Sequence, residues 1–353
     1  MVEAIEFDGL LNIPRLQRWM DEQEALDAGR IEFVDQLTGG TQNNLFRIRC
    51  SSRTLVLRRP PKHLRKNSNE TMLREARVLR AIAATDVPHP VLHAACDDPS
   101  VIGACFYLMA SLDGFAPARN VPLPGAYGQD PTWRRAMGRE LVKSAARLAA
   151  VDHVEVGLAD FGRADNWHQR QPDRWRGQVE TYLSIPGYGT ILLPYMDEVH
   201  AWLDRNCPTD GRIGIIHGDY QFPNVMFAHD RPELVGLIDW ELATLGDPML
   251  DMAWVLASWW EENIDPPGKF PSVSPWDGFQ SRDDLVRQYG DLTERDMSSM
   301  PWYFALACFK LGCILEGTFA RSLAGLAPKD IGDRLHHYAV WLLTKARQIT
   351  AEA

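Results

Sequence analysis

The 353-residue sequence has six cysteines but no C-x-x-C pair and no histidine spacing that would complete a zinc site. Cys50, Cys96, Cys105, Cys207, Cys308 and Cys313 therefore read as reduced core thiols, not as a disulfide frame or a metal cage. Long apolar runs are also lacking: the longest, Trp302 to Leu315, has 14 residues and is interrupted by Lys310, against the roughly 20 that a spanning helix needs. No membrane partner is expected. The N-terminal M-V-E-A-I-E-F-D lacks positive charge ahead of an apolar run, so no signal peptide is read and a cytoplasmic location is expected. Internal repeats and low-complexity tracts are absent too. What is present is ordinary for a globular chain, with 45% hydrophobic and 24% charged residues, and the length suits two lobes.

Charge is unevenly placed. Residues 1 to 110 carry 14 acidic and 14 basic side chains, so the net charge of -10 comes entirely from residues 111 to 353, with 33 acidic against 23 basic. Such a balance excludes nucleic acid as the expected partner. From Gln36 to Asn69 there are eight basic residues (Arg47, Arg49, Arg53, Arg58, Arg59, Lys62, Arg65, Lys66) and no carboxylate. That segment attracts anions, or is a solvated basic strand and loop.

Local patterning predicts two lobes. An N-terminal helical stretch around Ile13 to Ala28 precedes a β-hairpin, Leu45 to Arg49 and Leu55 to Arg58, turned at Ser51-Ser52-Arg53. A helix is expected over Thr71 to Ala83 and a strand over Val101 to Met109. Beyond the Gly- and Pro-rich stretch ending near Pro131 the pattern turns helical, at Trp133 to Val151, Trp175 to Leu183, Pro194 to Asn206, Pro248 to Trp260 and two long segments from Pro301 onward. A further hairpin, Val225 to Phe227 and Leu234 to Ile238, lies among them. The expected fold is α+β and two-lobed: a β-rich lobe over residues 1–110 and a mainly helical lobe over 111–353 that carries this hairpin.

The densest chemistry surrounds that hairpin: His217-Gly218-Asp219-Tyr220-Gln221-Phe222-Pro223-Asn224, then Ile238-Asp239-Trp240-Glu241. From average usage H-G-D-x-x-x-x-N arises by chance on the order of once in a thousand chains of this length. A loop Asp, an Asn five residues on and a second Asp across a short hairpin can converge, and they are the hard oxygen ligands that magnesium prefers. One carboxylate is then left to act on a substrate hydroxyl. This is the grammar of kinases, in which an Asp accepts the hydroxyl proton while an Asn and a second Asp hold magnesium on the phosphates.

The strings H-G-D-Y-Q-F-P-N-V-M-F, L-I-D-W-E and G-D-P-M-L-D-M-A-W resemble the aminoglycoside phosphotransferase family, a branch of the kinase-like fold that includes choline kinases. The resemblance runs from about Phe33 to the last helices. It implies a two-lobed protein-kinase-like fold with Asp219 as catalytic base and Asn224 and Asp239 as metal ligands. His217 would order the loop by hydrogen bonding. Asp247, before Pro248, reads first as a helix N-cap, whereas Asp251 resembles the family's supporting carboxylate.

Upstream, Leu37-Thr38-Gly39-Gly40-Thr41-Gln42-Asn43-Asn44 sits where a nucleotide-covering loop belongs, with Gly39 and Gly40 letting backbone N–H groups approach phosphates and Thr41 or Asn43 adding donors. Arg58 stands where kinases place a Lys. It keeps the charge but differs in reach and hydration. Glu75 on the next helix is its expected ion-pair partner, and Cys105 to Met109 with Ala110 to Gly114 resembles the hinge that grips adenine. Ala149 replaces a His frequent in the family. The resemblance thus implies transfer of the γ-phosphoryl group of ATP, or of GTP, with Mg2+, to a hydroxyl of a small molecule. Acceptor and oligomeric state stay open: the acidic second lobe suits a polycation such as an aminoglycoside, and the basic Pro60 to Asn69 loop suits an acceptor bearing its own phosphates, such as a hydroxyacyl-CoA. A catalytically silent nucleotide-binding module is the alternative of another class.

Overall fold

A computed structural model describes residues 7, 9–37, 43–118, 121–189, 193–260 and 273–353. In chain order they form α1 (Ile13–Asp21), β1 (Ile31–Leu37), β2 (Asn44–Cys50), β3 (Thr54–Arg59), α2 (Ser68–Ala81), β4 (Leu92–Cys96) and β5 (Phe106–Ala110). There follow α3 (Gly125–Gln129), α4 (Pro131–Ala149), α5 (Trp167–Tyr182), α6 (Met196–Arg205), β6 (Gly214–Ile216), β7 (Val225–Phe227), β8 (Leu234–Leu237) and β9 (Thr244–Gly246). The last four are α7 (Met249–Ser258), α8 (Arg282–Thr293), α9 (Met300–Leu323) and α10 (Lys329–Glu352). The chain divides into two compact units, residues 1–116, 154–158 and 224–243 in one and 117–153, 159–223 and 244–353 in the other. This is not a single cut near 110. The β7–β8 hairpin belongs with the first unit, where Phe115 and Phe227 exchange backbone hydrogen bonds of 2.9 Å in both directions.

The first unit is an antiparallel sheet in the order β1-β2-β3-β5-β4. The period of two along its strands decides which residues go where. Phe46 and Ile48 of β2, Leu55 and Leu57 of β3, and Phe106 and Leu108 of β5 enter one core together with Leu16 and Met20 of α1. Each fully buried side chain of this size is worth roughly 1.5–3 kcal/mol relative to exposure. The intervening Leu45, Arg47, Val56, Arg58, Tyr107 and Met109 face a cleft on the opposite side. Register fixes the two arginines of β3 in different roles. Arg58 falls on the cleft face opposite Tyr107, while Arg59 turns into the core and donates to the carbonyls of Leu10 and Ile102. On α2 the buried stripe Met72, Ala76 and Leu79 includes Glu75, a carboxylate on an apolar face that only a partner can keep there.

In the second unit β6 and β9 pair antiparallel, with Ile216 opposite Thr244. That short ribbon sets the His217-Gly218-Asp219 loop beside the segment running into α7, although the two lie some 30 residues apart. Asp130 caps α4 by accepting the Thr132 N–H at 2.7 Å, with Pro131 in the first helical position. Helix α9 is apolar enough by length and composition to cross a bilayer, but its most apolar window is 72% buried inside the fold, as a core helix is.

Candidate active site

The first unit's cleft has about 700 Å³ of free space, its open mouth included. Leu37, Val56, Leu79, Met109, Leu112, Met226 and Ile238 make it apolar, while Arg58 and Asp239 supply charge on the same wall. Arg58 is 6% exposed. Its Nε lies 2.9 Å from Glu75 Oε2, an ion-pair contact without hydrogen-bond alignment, and its Nη2 is paired with Asp239 Oδ1 and lies 3.9 Å from Glu241 Oε2. Burial alone would lower the Arg58 pKa, but Glu75, Tyr107 and Asp239 hold it above its ordinary value. Burial pushes Glu75 up to about 7 against the pull of Arg58, and Asp239 and Glu241 add to the rise. Tyr107 steadies Glu75 by donating its hydroxyl to Oε2 at 3.0 Å.

Three carboxylates thus surround one guanidinium, leaving a site rich in oxygen ligands. Asp239 adopts a left-handed backbone, φ 66°, a conformation that Asp tolerates better than most residues. The Ile238 N–H donates to the Asn224 carbonyl at 3.0 Å, so the β7–β8 hairpin sets Asn224 close in register to Asp239. Asn43 joins the centre by donating to Glu241 Oε2 at 3.1 Å. Among the described residues no three His, Cys, Asp or Glu gather as a cage. An Asn and an Asp still fit magnesium, which takes one or two protein carboxylates and completes its shell with water and phosphate oxygens.

Asp219 belongs to the second unit. Gly218 permits the turn before it, φ 86°, where a side chain would be strained. Asp219 Oδ1 accepts from Gln221 Nε2 at 2.6 Å and from Trp254 Nε1 at 2.9 Å, and the residue is half-buried between buried neighbours. His217 Nδ1 accepts the Asp219 N–H at 3.4 Å, the ordering contact expected of it. Asp251, buried on α7, accepts the His217 and Gly218 N–H groups at 2.6 and 2.9 Å. Burial raises its pKa, with His217 and those two amides opposing the rise. It is the loop's support.

Asp247 is structural, and does more than cap a helix. It accepts the Met249 N–H at 3.0 Å, the Arg212 N–H at 2.9 Å and the Tyr303 hydroxyl at 2.7 Å, and forks onto Arg295 at 2.6 and 3.0 Å. Burial favours its neutral form, but the hydrogen bonds from His168 and Arg295 prevail and hold it below the usual carboxylate range.

The structure therefore brings Asn43, Arg58, Glu75, Met109, Asn224 and Asp239 together in one unit, around or beside one cleft, and places Asp219 with Asp251 in the other. Gly39, Gly40 and Thr41 lie outside the described residues. Sequence reading missed Tyr107 and Glu241 as members of the Arg58 centre, and Trp254 as a donor to Asp219. It met Lys310 only as a break in an apolar run. That lone charge in an apolar helix was the available signal.

The antiparallel sheet of one unit and the helices of the other give a kinase-like α+β fold. Residues 34–296 match the APH phosphotransferase enzyme family, and the chain belongs to it. A solved Ralstonia eutropha protein, whose assignment as an aminoglycoside phosphotransferase is itself provisional, is 30% identical with a TM-score of 0.80 over 96% of this chain and 98% of its own. Among curated proteins, acyl-CoA dehydrogenase family member 10 of Mus musculus is 30% identical over 83% of this chain. Acyl-CoA dehydrogenase family member 11 of Rattus norvegicus is 29% identical, again over 83%. The chain spans only 27% and 37% of the length of those two relatives.

Proposed function

We propose that this protein moves the γ-phosphoryl group of ATP, or of GTP, to a hydroxyl of a small molecule with magnesium. The observation that supports this most is the first unit's cleft, apolar along Val56, Met109, Leu112 and Met226 and cationic at Arg58. A nucleotide needs that combination: an apolar slot for the base, and a permanent charge for the phosphates. Asn224 and Asp239 would hold magnesium, which when bound neutralises phosphate charge. Arg58, kept in place by Glu75, would grip phosphate oxygens. Asp219, its Oδ1 fixed by Gln221 and Trp254, would orient the acceptor hydroxyl and take its proton. Solved proteins of the same fold include a streptomycin–ATP complex of one aminoglycoside phosphotransferase and a GDP complex of another, at 15% and 14% identity. An adenine and a guanine nucleotide therefore both enter this fold.

A second acceptor reading has its own support. Lys62 and Arg15 line a polar hollow of the first unit together with Asn12 and Ser100, and the curated relatives carry acyl-CoA names. An acceptor with its own phosphates, such as a hydroxyacyl-CoA, fits this hollow better than a polycation does. Thermal shift with Mg-ATP and Mg-GTP tests the donor half. A ligand at 100 times its dissociation constant adds roughly 2.7 kcal/mol, and no shift with either at millimolar concentration would remove the kinase reading.

A further inference from the structure

Lys310 lies in the middle of apolar α9 and is 7% exposed. An ammonium is kept in such a place only where other groups replace its water. Its Nζ is 3.4 Å from the Gly218 carbonyl oxygen and lies over two indoles, 4.5 Å from the ring centre of Trp254 and 5.4 Å from that of Trp175. Trp254 has a second task, because its Nε1–H donates to Asp219 Oδ1. One indole thus meets Lys310 with its face and Asp219 with its edge. Gly218 is gripped from two sides as well, its carbonyl by Lys310 and its N–H by Asp251.

Resting on the phosphotransferase reading above, we propose that Lys310 is a positioning residue for Asp219, its ammonium fixing Trp254 and the Gly218 carbonyl so that the carboxylate of the base keeps one orientation. The charge is essential, since ring faces and a carbonyl oxygen all present negative potential. A thioether has no donor to offer it, and a neutral amine offers only a weaker hydrogen bond. The charged groups around the ammonium are Asp251 of α7, which itself meets His217, then Arg174 of α5 and Asp219 of the loop. Burial draws the Lys310 pKa down to about 8, with Asp251 opposing, Arg174 adding to the fall and Asp219 opposing. The clamp is therefore present at neutral pH and released as pH rises through that value.

Two readouts test this. Tryptophan fluorescence of the native protein from pH 6.5 to 9.5, corrected with a Trp254→Phe blank, should show a transition near pH 8 that is absent in Lys310→Met and displaced beyond the range in Lys310→Arg. Turnover in γ-phosphoryl transfer should fall about 10–100-fold in Lys310→Met, the cost of a misplaced catalytic group, while Mg-ATP affinity stays within about threefold. The alkaline limb of its kcat profile should vanish, and Lys310→Arg should restore most of kcat. Native kcat with an unchanged pH profile in Lys310→Met, or no transition in the native protein, overturns the inference. If Lys310→Met fails to fold by circular dichroism, the native transition and the Arg variant still decide. A native protein that transfers phosphate to no hydroxyl acceptor removes the function beneath the inference, and that result is read before any substitution is made.

Discussion

Arg58 in the first unit and Lys310 in the second are almost equally buried, 6% and 7% exposed, yet they are held differently. Arg58 is packed against carboxylates, Glu75, Asp239 and Glu241, and stays charged. Lys310 meets a carbonyl oxygen and two indole faces, and its pKa falls to about 8. A guanidinium keeps its proton and forks onto planar anions, whereas an ammonium is a point charge whose pKa moves readily when buried. The first unit therefore holds a fixed charge suited to phosphates, and the second a charge that pH can remove. Asp247 shows the third possibility. Paired with Arg295 and several further donors, it is fully committed to structure.

The comparison breaks most sharply at Asp219. Asp219→Asn keeps the shape and loses the proton acceptor, so kcat should fall about 10²–10⁴-fold, as for a lost acid–base group, with Mg-ATP affinity within about threefold by calorimetry. Near-normal turnover on a confirmed acceptor would give the base role to another residue. Next in size is Asp239→Ala, which removes a charged ligand from the Arg58 centre. Mg-ATP affinity and kcat should both fall by about tenfold or more, and affinity that survives would place magnesium elsewhere.

Stability gives a smaller effect of opposite sign. The folded pKa of Lys310 lies below its ordinary value of roughly 10.4, so between about pH 8 and that value the unfolded chain binds more protons and stability rises with pH. Burying the charge is thus costly at pH 7. Lys310→Met should melt a few degrees above native at pH 7, with the gap closing as pH approaches 10. A gap that does not depend on pH would mean that Lys310 binds its proton equally well in the folded and unfolded chain.

Much of this was legible in the sequence, and the misses have physical causes. The hairpin 225–238 and the helices near 133–151, 194–206 and 248–260 follow plain periodicity. Four of the features that escaped have a plain cause. Val101 to Met109 read as one strand, but Gly103, φ 86°, turns the chain, and β5 starts only at Phe106. Helix α5 begins at Trp167, and Pro172 within it hid the first turns. Helix α8 is mostly polar, with only Arg282, Leu285 and Tyr289 buried, and gave no apolar stripe. Strands β6 and β9 have three residues each, too short for any period to show. The loop itself stood out because its residue types are rare in combination. Its supports did not, because Trp254 and Lys310 act through contacts across α7 and α9 that no local spacing encodes.

The smallest expected effect concerns the acceptor. Changing Lys62, Arg65 and Lys66 together to Ala should weaken a hydroxyacyl-CoA acceptor several-fold, as lost phosphate-attracting charges do, and spare Mg-ATP. Unchanged acceptor affinity removes the reason for invoking CoA. A steep fall in affinity with added salt for a polycation such as an aminoglycoside would favour the acidic second unit instead.

Phosphotransfer itself is the most direct measurement. Native protein and Asp219→Asn would be incubated with Mg2+ and γ-labelled ATP or GTP against panels of aminoglycosides and hydroxyacyl-CoA esters, with label in the acceptor read by mass and by phosphorus NMR. The account predicts a phosphate monoester on a hydroxyl of one acceptor class with native protein, lost with Asp219→Asn although that variant still binds Mg-ATP. Equal labelling by both proteins, or nucleotide binding with no labelled acceptor in either panel, contradicts it.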